Sequence, residues 1–269
     1  LWSNATTLPG WYASQSLSPF TITSYIANDG ADVTGSLYSF GASGNSERAL
    51  GSISSGTPGT IGFGLCFTND TALTASNFVI SYTGEQWRNG ATSVTNTLTF
   101  WYKVSASALT NPEPATSSGW TAVTALDFAS PTVLTTGTKL DGNQATNRHT
   151  FSSVLVPGLV VAPGQNVFFR WLDPNDTSND DGMAVDDLTV SFTLPAPRIT
   201  SISSSNHIAQ LTFLGESNVT YGIEAASNLN SPIFWQRIGS NTANASGTFS
   251  FTDTNAPLFP RSEEHTSEL

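Results

Sequence analysis

Apolar side chains recur at every second position along much of this chain. Phe78, Ile80 and Tyr82 fall on one face of residues 77–83, and Leu98, Phe100 and Tyr102 do so in residues 97–104. Residues 165–172 and 183–192 read as two further strands, joined by a loop rich in Asp and Asn. Turn signals separate the runs: Asn28-Asp29-Gly30, Asn89-Gly90, Asp141-Gly142-Asn143 and Pro163-Gly164. Alternating β and α units would need repeated helices of about 10–15 residues, and helical periodicity is scarce. The expected class is all-β, a long antiparallel sandwich.

At 269 residues the chain exceeds one small sandwich and suits a large β domain followed by a small one. The segment Leu194-Pro195-Ala196-Pro197-Arg198 reads as a hinge. Beyond it a second strand series is expected at residues 199–203, 208–214, 219–225, 234–238 and 248–252. The expected divisions are a large β-sandwich over 1–194, a hinge over 195–198, a small module over 199–260 and a tail over 261–269.

Only 11% of residues are charged, whereas Ser and Thr make up over a quarter, a blend unsuited to long surface helices. The net charge of −11 excludes the basic patch that a nucleic-acid partner requires. No uninterrupted run of about 18 apolar residues exists, so no membrane insertion is expected. The single cysteine, Cys66, excludes an intramolecular disulfide framework. The chain opens on Leu1-Trp2-Ser3-Asn4 without an initiator Met or signal region, which places it after a processing site or inside a larger protein.

Several words carry a resemblance across residues 1–193: Gly10-Trp11-Tyr12-Ala13, Leu37-Tyr38-Ser39-Phe40-Gly41, Glu47-Arg48-Ala49-Leu50-Gly51 and Tyr82-Thr83-Gly84-Glu85-Gln86-Trp87-Arg88. Leu126-Asp127-Phe128, Leu140-Asp141-Gly142-Asn143, Arg170-Trp171-Leu172-Asp173 and Ala184-Val185-Asp186-Asp187-Leu188 continue it. In combination they resemble a concanavalin-like jelly-roll domain of bacterial secreted and surface proteins, in which it accompanies sorting anchors or extracellular nucleases and phosphatases. Residues 197–260 resemble a small sandwich module of verrucomicrobial and planctomycete secreted proteins, on Leu211-Thr212-Phe213-Leu214-Gly215, Thr220-Tyr221-Gly222-Ile223-Glu224, Ser227-Asn228-Leu229 with Trp235, and Gly247-Thr248-Phe249-Ser250-Phe251-Thr252-Asp253. Such modules close with a further strand just after the position of Pro260. Here Arg261-Ser262-Glu263-Glu264-His265-Thr266-Ser267-Glu268-Leu269 follows, and it resembles one reading frame of a common sequencing-library adapter. The resemblances thus imply a jelly-roll β-sandwich followed by a small immunoglobulin- or fibronectin-like sandwich that lacks its last strand. The tail is expected to form none, since it has no alternating apolar face.

Catalytic chemistry is poorly supplied. No Gly-x-Ser-x-Gly elbow or His-Glu-x-x-His occurs, and His149 and His207, the histidines before the tail, read as loop residues. A glycosidase needs two carboxylates, one with a raised pKa. Glu47 and Glu85 are the candidates, but Arg48 and Arg88 beside them are expected to keep them ionised. These four residues are instead expected to form a structural ion network, so that Glu85→Ala destabilises by about 3–5 kcal/mol if the pair is buried.

Trp11, Trp87, Trp101 and Trp120 offer stacking platforms for a glycan, or they fill the core. Asp173, Asn175, Asp176, Asp180 and Asp181, followed by Asp186 and Asp187, supply hard oxygen donors of the kind calcium takes, though not at EF-hand spacing. Calcium is one expected way to clamp this segment; an arginine (Arg48, Arg88 or Arg170) is the other. No other cofactor is expected.

The functional expectation is a non-catalytic, extracellular adhesion or ligand-presenting module pair, with neighbouring domains of the same larger chain and a glycan or cell-surface ligand as partners. A carbohydrate-binding module and an accessory domain of an extracellular hydrolase are the alternatives.

Overall fold

The computed structural model describes residues 1–90, 93–206, 208–227 and 230–254, and the backbone of 263–268. His207, Asn228, Leu229 and residues 255–262 lie outside the described residues. The chain is all-β, as the alternation predicts, with helix limited to two short 3-10 turns among the described residues.

In chain order the strands are β1 (Trp11–Gln15), β2 (Ile26–Asn28), β3 (Ser36–Phe40), β4 (Ala49–Ile53), β5 (Ile61–Thr68), β6 (Ser76–Asn89) and β7 (Thr97–Ser105). Then come β8 (Thr121–Ala122), β9 (Phe128–Ala129), β10 (Thr138–Lys139), β11 (Arg148–Leu155), β12 (Asn166–Asp173) and β13 (Gly182–Thr193). The later strands are β14 (Arg198–Ser205), β15 (Ile208–Leu214), β16 (Thr220–Ala226), β17 (Gln236–Thr242), β18 (Thr248–Asp253) and β19 (Glu263–Glu268).

The chain divides into two compact units. The first holds residues 1–68, 77–161 and 165–192; the second holds 69–76, 162–164 and 193–269.

The first unit is a sandwich of two sheets, β1-β5-β12-β7-β8 with β9 on β7, and β10-β6-β13-β4-β3-β2 with β11 on β6. Alternation builds its centre. Trp171 of β12 meets Tyr82 of β6 edge to face at 5.3 Å and Phe100 of β7 at 5.1 Å, and Phe78 and Phe63 pack on the same aromatic group. Phe78, Ile80 and Tyr82 are each buried, as are Leu98 and Phe100.

A second, smaller cluster of Tyr38, Phe40, Ala49, Ile53, Trp87 and Ala184 belongs to the β6-β13-β4-β3 sheet. Loop residues close over it. Gly142 lies so near the Trp87 indole that a Cβ there would stand 2.4 Å from Nε1, and Gly30, at φ +88°, would bring one 1.9 Å from the Trp87 carbonyl.

The second unit pairs β14-β15-β18 in one sheet and β17-β16-β19 in the other, around Leu211, Phe213, Tyr221, Ile223 and Phe249. Phe213 and Tyr221 stack on Phe249 at 4.8 and 5.1 Å. The expectation of a missing last strand and an unpaired tail is overturned here. Glu263–Glu268 runs antiparallel to β16, from Ala226↔Glu263 to Tyr221↔Glu268. The physical reason is that an edge strand offers unpaired N–H and C=O groups, and main-chain pairing needs no alternating apolar face.

Candidate functional site

Sheet order gathers what the sequence scatters. Glu85 lies on β6, Asp186 on the adjacent β13, and Glu47 just before β4, the next strand across. One carboxylate oxygen from each falls within 4.8 Å of the others, the one such trio among the described residues. Glu85 and Trp87, two positions apart, share a face of β6, and the Trp87 Nε1 donates to Glu85 Oε2 at 2.9 Å. Glu47 Oε2 accepts from Asn143 Nδ2 at 2.6 Å, and the Glu47 and Asp186 carboxyls lie within hydrogen-bonding reach.

The electrostatics follow. Burial, opposed by the Trp87 hydrogen bond and aided by Asp186 and Glu47, pushes Glu85 up to about 7. Burial and the Glu47 carboxyl push Asp186 up to about 6, against the hydrogen bond from the Asp187 amide. For Glu85 this corrects the expectation that the neighbouring arginine keeps the acid ionised.

The expected four-residue ion network is absent for the same reason. Ion pairs among the described residues are Lys103–Glu113 at 2.8 Å and Lys139–Asp29 at 2.5 Å. Arg48 donates to Ser39 Oγ and to the backbone oxygens of Ser39, Gly41 and Ala42. Arg88 donates to the Gly30 carbonyl at 3.2 Å. Arg48, like Glu47 just before β4, spends its guanidinium on the Ser39, Gly41 and Ala42 oxygens and makes no ion pair with Glu47.

The residues of the acidic run do not all gather at one point. Asn175 and Asp187 are exposed, and Asp186 belongs to the trio. Asp181 is satisfied by the Gly90 amide at 2.6 Å and Gln86 Nε2 at 2.9 Å, and Asp176 by Asn96 Nδ2 at 2.7 Å. Asp173 is fully buried, holds the Ser52 hydroxyl at 2.7 Å, and is pushed up to about 8 by burial. Asp180 takes the Asp176 amide on Oδ1 at 2.7 Å, while its buried Oδ2 has no partner. No arginine clamps this segment among the described residues.

The tryptophans serve the core more than a platform. Trp87 and Trp120 are 2% and 7% exposed. Trp11, half-buried, stacks on Trp171 at 6.0 Å. Trp101 is half-buried and lies over Arg170 at 5.5 Å, on the face away from the centre. Arg170 is entirely buried there, between Trp101 and Trp120. His149 sits on β11 rather than in a loop, edge-on to Phe151 at 4.6 Å.

What sequence reasoning missed is a hollow of about 510 Å³ on the trio's side of the unit, with Glu47 in its wall. Asn45, Asp141 and Asn143 add hydrogen-bonding groups, and the Lys139–Asp29 pair bounds it. The words containing Leu140-Asp141-Gly142-Asn143 and Glu47 held the signal, but nothing local says that the two meet.

The fold and this acidic rim define an all-β, sandwich-type protein. No protein-family model matches the chain, and no curated sequence matches it. Solved structures similar to it include the following two. The adhesin domain of Epf from Streptococcus pyogenes has 11% identity and a TM-score of 0.39, over 82% of this chain and 71% of that one. A beta-1,2-glucanase from Parabacteroides distasonis has 12% identity and a TM-score of 0.30, over 91% of this chain and 32% of that one. This chain therefore spans about a third of the glucanase, and neither likeness carries an argument about function.

Proposed function

We propose that the chain is a non-catalytic, extracellular pair of β-sandwich modules of a larger bacterial secreted or surface-anchored protein, and that its first unit presents the acidic rim to a glycan. One observation carries this reading: an open hollow of about 510 Å³ walled by Asn45, Glu47, Asp141 and Asn143. Two amides and two carboxyls supply both hydrogen-bond donors and acceptors, which suits the hydroxyl groups of a sugar better than an apolar ligand. The test is binding of the full chain to a polysaccharide panel by calorimetry. Asn143→Ala and Asp141→Ala should each weaken binding severalfold while leaving the melting temperature near wild type. Absence of binding to every glycan would remove the proposal.

A second reading, the hydrolase alternative, is favoured by the raised Glu85 beside Glu47 and Asp186, since a proton held near neutrality is what a general acid needs. Against it, Glu85 is 1% exposed and already holds the Trp87 indole. Release of reducing sugar that disappears in Glu85→Gln would establish that reading instead.

A further inference from the structure

We infer that a divalent cation of calcium type binds at the β12–β13 turn against Asp180, with Asp173 and Asp176 as its companions, at a place distinct from the Glu47–Glu85–Asp186 trio. The observation that points to a ligand is the Asp180 carboxyl. Its residue is 5% exposed, one oxygen accepts a backbone amide, and the other is buried without a partner. A buried acceptor left unsatisfied is costly, more so when charged, so such an atom calls for a donor or an ion.

The surroundings say which. Asp173 feels the charges of Asp180 and Asp176, and Asp180 those of Asp176 and Asp181. None of Asp173, Asp176 and Asp180 makes an ion pair with Lys or Arg among the described residues. Arg88, which lines the same hollow as Asp180, spends its Nη1 on the Gly30 carbonyl. The neighbouring donors are all oxygen: the carboxyls, the Ser52 and Ser54 hydroxyls bonded to Asp173, and the carbonyls of the turn. Oxygen-only sets select calcium over transition metals, and calcium accepts irregular geometry at about 2.3–2.6 Å.

The hollow beside Asp180, about 530 Å³ and lined also by Ser54, Ser178 and Asn179, admits water to complete the coordination. The carboxyls of Asp173, Asp176 and Asp180 stand wider than the trio's 4.8 Å, so the turn between β12 and β13 must tighten on binding. This assignment does not depend on the glycan reading.

The experiment is calcium titration of the full chain, followed by calorimetry and by thermal melting against a chelator control. The wild type and Glu47→Gln should bind and gain in melting temperature, with magnesium much weaker. Asp180→Asn, which keeps the shape and removes the charge, should lose binding at least about tenfold. Should Asp180→Asn fail to fold, Asp176→Asn, at a half-buried position, should show the same loss. No calcium response at millimolar concentration would overturn the inference. So would a response that survives Asp180→Asn and Asp176→Asn but vanishes in Glu47→Gln, which would place the ion at the trio.

Discussion

The Arg170 guanidinium lies over the Trp120 ring, 3.7 Å from its centroid, beneath a loop whose carbonyls it also holds. Nη1 donates to the Pro112 and Glu113 oxygens at 2.6 and 2.8 Å, and Nη2 to Thr116 at 3.0 Å. Glu113 in turn accepts from Trp120 Nε1 and Lys103, both at 2.8 Å. One buried cation thereby fastens residues 112–120 onto the outer face of the β5-β12-β7 sheet.

Removing it should be costly. Arg170→Ala strands three carbonyls and leaves a cavity between two indoles, so a loss of about 3–5 kcal/mol is expected. Arg170→Lys should recover only part of this, because an ammonium cannot span three acceptors in the plane of a fork. Denaturant unfolding measures both; a wild-type midpoint for Arg170→Ala would refute the fastening role.

Stability should fall as pH rises toward and beyond neutrality. Glu85, Asp173, Asp180 and Asp186 have folded values of about 7, 8, 6 and 6, all above the usual carboxylate range of about 4. The folded state therefore binds more protons than the unfolded one. The stabilisation is full below about pH 4 and is lost as pH climbs through roughly 6–8. Melting in chelator should be higher at about pH 5 than at about pH 8.

Glu85→Gln should flatten that slope and, at about pH 8, stabilise by about 1–2 kcal/mol, since the amide oxygen still accepts from Trp87 without a buried charge. This replaces the large destabilisation expected of a broken ion pair. A marked drop in melting temperature at high pH would contradict it.

Gly142→Val should destabilise by about 1–3 kcal/mol through overpacking, because a Cβ there would meet Trp87 Nε1 at 2.4 Å. Indole fluorescence should shift with it, as the Trp87–Glu85 hydrogen bond is displaced.

Deleting residues 261–269 should open the edge of β16 and promote self-association of the second unit, read by sedimentation. A replacement six-residue segment of unrelated but strand-compatible sequence should restore the monomer, since the pairing is made by the main chain. Failure of every replacement would mean that side chains carry the contact.

The strands were legible because alternation is local. Phe78, Ile80 and Tyr82 announce their shared face without help from elsewhere. The carboxylate trio was not, because Glu47, Glu85 and Asp186 meet only through the order β6-β13-β4, a product of long-range pairing. Proximity in sequence even misled: Arg48 and Arg88 sit next to acidic or acid-bearing stretches yet bond to carbonyls. Arg170 was hidden differently. Phe168-Phe169-Arg170-Trp171 alternates well, but nothing in those residues tells that a loop covers the outer side.

Because two of the acids lie on β6 and β13 and the third on the approach to β4, their meeting depends on every intervening register. A slip of β13 by one residue turns Asp186 to the opposite face and scatters the group. The protons held by Glu85 and Asp186 near pH 6 can therefore be taken up only when β4, β13 and β6 have all found their partners. During refolding near pH 6, proton uptake should lag behind chain collapse and arrive with the closing of the sheet, so that the acids act as a clock for the final pairing step.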